Sequence, residues 1–350
     1  MKPEDLWSAF TELDDDLVLD TEAAAPKRKF GPRRLMAVLT AAVIASTMVL
    51  TAFASSDGAV WFKNFFSMNT DLADSQKDFI EGNTTQFRQS QTSNGYTLTL
   101  DTAISDGVRT YIRFQLTAPE GVVLDADHYA PNNWTELKFV NENGETYSTS
   151  GGWDTYDDDL TDNVSSLLYT SDNGGFEDDV DRLFEETWNV RIIGIKAGCW
   201  HDLGTPEASF EEKKLTDGLW EFDIQFPEKG NRVVELISTP VDCPSEVDVG
   251  IEKTGENTFR YITESALVQI TSFKLRALTA EFSYQYSEKE QVNADFEDLY
   301  VVMKDGTRTL MHQNLGYPNY NTYYFDAPII LDEVDHILLP NGTKLRVPLA

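Results

Sequence analysis

The chain has 350 residues, with 59 Asp plus Glu against 28 Lys plus Arg, a formal net charge of −31. That balance excludes nucleic acid as a partner, because binding polyphosphate needs clustered cations. Two Cys and four His exclude a disulfide-dense scaffold and a multi-zinc array, while 41% apolar residues supply ample material for folded cores.

Residues 1–34 are too short to bury a core of their own. Leu6, Phe10, Leu13 and Leu17 recur at spacings of four, three and four, the stripe of an amphipathic helix. Trp7 adds an aromatic beside that stripe, and Glu4 and Asp5 suit the positive end of the helix dipole. A helix this short is marginal alone in water and gains order against a partner groove. An interfacial helix on the membrane is the other reading. However, Asp14, Asp15, Asp16 and Asp20 give it an acidic polar face, which an anionic leaflet disfavours.

Residues 35–54 (LMAVLTAAVIASTMVLTAFA) run without a charge, Asn, Gln, Gly or Pro. As a helix this stretch spans about 30 Å, the thickness of a bilayer core. Lys27, Arg28, Lys29, Arg33 and Arg34 precede it, and Asp57 is the first charge after it. The positive-inside rule then predicts a single-pass protein of the cell membrane, with the N-terminus cytoplasmic and residues 55–350 extracytoplasmic. Ala52-Phe53-Ala54 before Ser55 also fits a cleavage site, but the apolar run exceeds a usual signal core and the leader carries eight acids. Ala37, Ala41 and Ala45 form a small-residue ridge, which suits helix packing or arises in any Ala-rich anchor.

Residues 55–89 read as a juxtamembrane segment. Trp61, Phe62, Phe65 and Phe66 form an aromatic collar suited to the outer interface. Asp71–Phe79 has a helical pattern, and the polar stretch after it, to about Ser93, reads as a connector.

Beyond it the hydrophobic period becomes two. Tyr96–Leu100 and Thr110–Leu116 alternate around Asp106-Gly107, a β-hairpin signature. Further runs lie at Leu137–Val140, Val190–Ile195, Leu219–Phe226, Leu267–Leu275, Leu278–Tyr286, Leu299–Met303 and Ile329–Leu339. Asn143-Gly144, Asp217-Gly218, Asp305-Gly306 and Asn341-Gly342 punctuate them as turns. Glu136–Thr146 has a faint counterpart in Asp298–Arg308. These patterns predict a mainly β fold of two β-sandwiches, residues 90–240 and 241–350.

Cys199 and Cys243 fall in the part expected outside the membrane. They are a disulfide candidate, or two unpaired buried thiols. The acids between Asp154 and Glu186 suit either a solvated loop or a cation, without EF-hand spacing. No G-x-S-x-G, H-E-x-x-H, P-loop or G-x-G-x-x-G occurs, and His128, His201, His312 and His336 are scattered. No enzyme, catalytic residue, cofactor or metal site is expected.

Three stretches carry a resemblance. Leu6–Ala25, the apolar segment and Gly95–Asp125 together resemble a family of bacterial single-pass membrane proteins whose extracytoplasmic region is a domain of unknown function. Phe325–Pro348 looks like that family's immunoglobulin-like module. The resemblance implies tandem immunoglobulin-like sandwiches and an anti-sigma-factor-like role. Leu6, Trp7, Phe10, Leu13 and Leu17 would then face a sigma factor or another cytoplasmic protein, while the outer part senses an unknown ligand. Residues 1–54 contain no His or Cys, unlike zinc-type anti-sigma domains. The alternative is an anchored surface module binding a peptide, polymer or cation, since residues 55–350 carry nearly all the negative charge. Regulated cleavage near Ala52–Ser55 is a third option.

Overall fold

The computed structural model describes residues 58–347, except 69, 133–137, 148–149, 157–159, 173–182, 202–207, 228–231, 237–239, 255–258 and 297. The apolar run 35–54 and the inner-helix residues Leu6, Trp7, Phe10, Leu13 and Leu17 therefore lie outside the described residues. Among the described residues no helix is long and apolar enough to cross a membrane.

Two short helices come first, α1 (Gly58–Ser67) and α2 (Asp74–Asn83). The remainder is mainly β. One antiparallel sheet runs in the order β1 (Thr85–Ser93), β2 (Tyr96–Ser105), β3 (Arg109–Thr117), β8 (Val164–Asp172) and β7 (Ser150–Tyr156). Facing it are β10 (Ser209–Ile224), β9 (Trp188–His201), β5 (Lys138–Asn141) and β6 (Thr146–Tyr147), with β4 (His128–Pro131) also on β9. Alternation fills the space between them: Trp220, Phe222 and Ile224 of β10 turn inward, while Leu219, Glu221 and Asp223 turn out. They meet Leu100, Phe114, Trp153 and Leu167 of the first sheet. Each such large apolar side chain contributes about 1.5–3 kcal/mol on burial.

A second pair of sheets follows. Its larger sheet orders β15 (Ala294–Asp295), β12 (Val241–Lys253), β13 (Phe259–Leu275), β14 (Thr279–Gln285), β19 (Tyr320–Tyr324) and β18 (His312–Tyr317), with β11 (Val234–Glu235) on β13. Opposite lie β17 (Arg308–Leu310), β16 (Tyr300–Met303), β20 (Val334–Leu338) and β21 (Lys344–Arg346). Phe273, Phe282 and Tyr323 of the larger sheet pack in a core with Val301, Ile337 and Leu345 of the smaller.

The two sheet pairs share one strand order. The series β1-β2-β3-β8-β7 reappears as β12-β13-β14-β19-β18, and β10-β9-β5-β6 reappears as β21-β20-β16-β17. The sequence echo between Glu136–Thr146 and Asp298–Arg308 falls on corresponding hairpins, β5–β6 and β16–β17, and Gly144 and Gly306 take positive φ in their turns (79° and 90°).

Four local expectations need correction. The aromatic collar does not rest on an interface: Phe62 and Phe66 are buried in protein against Ile104, Tyr111 and Leu168. The polar connector is an edge strand, β1, paired with β2. Its Gln and Ser side chains stand in for a missing neighbour strand. Gln91 donates to the Glu221 carbonyl and accepts from the Glu221 N–H at 2.9 Å, Gln89 donates to the Asp223 carbonyl at 2.8 Å, and Ser93 Oγ accepts from the Leu219 N–H at 3.0 Å. Asp217-Gly218 is not a turn but a register shift inside β10, where the Trp220 ring sits 2.3 Å from where a Gly218 Cβ would stand. Finally, Cys199 and Cys243 are not joined: Cys199 packs on the first core and Cys243 lies inside the second.

Burial pushes the Cys243 thiol up to about 11, which suppresses the reactive thiolate. Alkylation after unfolding, without reductant, should label both cysteines. In the native state Cys243 should stay unlabelled at pH 8; mass spectrometry of the two samples checks this.

Candidate functional site

The described residue cluster with the most unusual chemistry lies where α1, α2 and the tips of two hairpins converge. Corresponding hairpins, β2–β3 and β13–β14, close with the same backbone bond: Asp106 N–H to the Arg109 carbonyl (3.1 Å) and Arg276 N–H to the Thr279 carbonyl (2.8 Å). Asp106 joins the two tips. Its Oδ1 accepts from the N–H groups of Val108 (3.1 Å) and Arg109 (2.8 Å). Its Oδ2 accepts from the Leu278 N–H (2.9 Å) and the Thr279 hydroxyl (2.8 Å). The residue is fully buried. Burial pushes its carboxyl above the usual range, against the opposing pull of these donors and of Arg276.

Arg109 makes a second tie. Its Nε donates to the Tyr111 hydroxyl at 2.7 Å, its guanidinium pairs with Asp172 at 2.9 Å, and it lies 4.3 Å from the Tyr324 ring centre on β19. Two further buried ion pairs flank the tips. Arg276 meets Glu281 at 2.9 Å, and Tyr320 donates its hydroxyl to the same Glu281. Arg113 meets Asp101 at 2.7 Å beneath the Trp61 ring. Burial lowers the pKa of Arg113 and raises that of Asp101, so desolvation outweighs mutual attraction for both. Such pairs are weak sources of net stability, yet losing one partner strands a buried charge.

The helices close this cluster from outside. Ala59, Phe62 and Phe66 form the buried stripe of α1, and Gly58 lets its first turn reach β2, because a Cβ there would stand 2.6 Å from Thr102 Oγ1. Trp61, Phe65, Phe66 and Tyr111 pack at ring distances of 5.0–5.5 Å. Lys63 and Glu81 tie α1 to α2 at 2.8 Å. Gln76 of α2 accepts from the Ala73 N–H (2.9 Å) and donates to the Pro328 carbonyl (2.7 Å), reaching the second sheet pair. Leu278 and Ala327 of that pair join Phe62, Phe66 and Ile80 in one apolar cluster.

A polar groove lies on the larger second sheet, but Gln285 donates to Gln269 at 2.6 Å and Gln269 to Asp242 at 3.5 Å, so these polar groups engage one another. Among the described residues no cluster of His, Cys, Asp and Glu could hold a metal. Of the residues singled out from sequence, Cys199 and Cys243 lie away from the junction. Asp106 was legible only as a turn former and Asp172 only as one of the acids between Asp154 and Glu186, while Arg109 and Thr279 gave no signal.

Residues 28–118 match the family model described as a domain of unknown function, DUF4179. The matched span runs from the basic flank through α1, α2 and β1–β3, so it includes Asp106 and Arg109 but none of their second-module partners. No curated protein matches the chain. The crystal structure of the conserved domain protein from Bacillus anthracis is similar at 12% identity and a TM-score of 0.40, covering 79% of this chain and 82% of that one.

Asp106→Ala should destabilise by about 3 kcal/mol or more, since it strands buried donors. Asp106→Asn, which keeps one acceptor, should lose less; urea midpoints rank the three proteins. Burial raises Tyr111 to about 12 from a usual 10. A raised folded-state pKa means stability intact below pH 10 and lost as pH rises towards 12. Tyrosinate absorbance should therefore rise together with loss of near-UV circular dichroism in that window.

Proposed function

We propose that the protein is a single-pass membrane regulator. Residues 35–54 anchor it, tandem immunoglobulin-like sandwiches form its extracytoplasmic part, and the inner helix carrying Leu6, Trp7, Phe10, Leu13 and Leu17 binds a cytoplasmic protein. A sigma factor is the partner class the resemblance implies. One observation carries this reading: only residues 55–57 separate the apolar run from α1, which is packed into a cluster shared by both sheet pairs. A helix held this way has little freedom to move independently of the β part, so a change in either sheet pair would bear on the segment next to the anchor. The family match spans residues 28–118, which takes in the basic flank, the apolar run and the first hairpins together.

The test is co-purification of the full-length protein from its own membranes beside a version lacking residues 2–25 and beside Phe10→Asp. A defined cytoplasmic protein should accompany only the intact chain, with equal membrane insertion of all three. Equal recovery of the same proteins with every version would leave residues 2–25 as a topogenic leader and defeat the proposal.

A further inference from the structure

The outer face of the first sandwich carries a feature that the coupling role does not use. Gly194 has a positive φ of 63° in β9, and beyond it Ala197 is buried while Cys199 packs on the core. Alternation therefore turns Lys196, Gly198 and Trp200 outward. Trp200 pairs with Phe210 of β10 across the ladder, their ring centres 4.6 Å apart. Trp200 is 48% exposed and Phe210 37%. Phe210 lies over Gly198, where a Cβ would stand 2.3 Å from its ring, so the glycine provides its seat. His128 of β4 pairs with Gly198 from the other side, its ring 6.4 Å from that of Phe210. Asp127 fixes the strand by accepting the Trp200 N–H at 2.7 Å.

Two large aromatics exposed side by side on a folded surface mark an interaction site more often than isolated ones do. The charge around them decides for what. Asp127, Asp154 and Glu212 lie on or beside these strands, with Glu212 held by Lys196 at 2.8 Å, while Glu211 and His201 share the opposite face with Cys199. The whole chain is net −31, a field that draws cations and repels anions. The rings are tilted, by 41° between Trp200 and Phe210 and 58° between Phe210 and His128. They make no flat strip for a run of sugar rings, whereas a guanidinium or ammonium needs only one ring face and a neighbouring carboxylate.

We propose that Trp200, Phe210 and His128 form a docking platform for a basic peptide segment, with an Arg or Lys side chain seated on the Trp200 ring. The test uses the full-length chain in nanodiscs of uncharged lipid, titrated with hexa-arginine and, separately, with cellohexaose. Hexa-arginine should bind and perturb tryptophan emission. Trp200→Ala should weaken binding roughly tenfold, whereas Trp200→Phe, which keeps a π face, should weaken it much less. Circular dichroism should be unchanged in both variants, as the side chain is half exposed. Equal affinity of wild type and Trp200→Ala would mean diffuse attraction to an acidic surface and would overturn the proposal. Binding of cellohexaose in place of hexa-arginine would overturn it equally, and so would failure of both ligands to bind.

Discussion

One buried carboxylate holds the arrangement of the molecule together. Asp106 takes two donors from its own hairpin and two from the hairpin at the corresponding place in the second sheet pair. A carboxylate deprived of water is tolerated only when its lone pairs are met by donors of good geometry. Satisfying it therefore fixes where Leu278 and Thr279 stand relative to β2 and β3. The apolar cluster of α1 and α2 is the complement of this constraint. It shields the tips from water, and it fits only when Leu278 and Ala327 are in place beside Ile104 and Tyr111.

This explains why the two repeated topologies form one compact unit among the described residues after 57. Each sheet pair has its own core. What joins them is polar and directional at the centre and aromatic at the rim. Arg109 contributes to both, pairing with Asp172 in the first module and lying against Tyr324 in the second. An interface of that kind tolerates little sliding, because a shift of an ångström or two breaks several charge-assisted bonds together. A greasy interface of similar size would slide more readily.

The elements that sequence reading found were those whose signal is local. Alternation located β2, β3, β9, β13, β14 and β16, and Asn-Gly or Asp-Gly pairs located the β2–β3, β5–β6, β16–β17 and β20–β21 turns but not that of β13–β14. It missed β1 because that strand is polar throughout except for Phe87, which packs on the first core. Its order comes from pairing with β2 and from Gln91 and Gln89 reaching the backbone of β10, some 130 residues on. It missed β12 because Pro244 sits inside it; the strand tolerates a proline there because β15 pairs only with Glu246 and Val247 on that edge. It misplaced the aromatic collar because a run of Trp and Phe after an apolar segment has the same composition whether it meets lipid headgroups or a protein core.

What the sequence determined by itself is therefore the class and its punctuation: an acidic chain, an apolar run with a basic flank, and a mainly β remainder with several of its turns. These follow from short-range rules, since periodicity, turn chemistry and charge asymmetry are properties of neighbouring residues. Only the tertiary structure decided the rest. It showed that Phe62 and Phe66 are core residues, that Cys199 and Cys243 belong to separate cores, that Trp200 and Phe210 stand together outside, and that Asp106 meets Thr279. Each of these is a contact between residues far apart in the chain, and no local pattern records which distant donor a carboxylate will find.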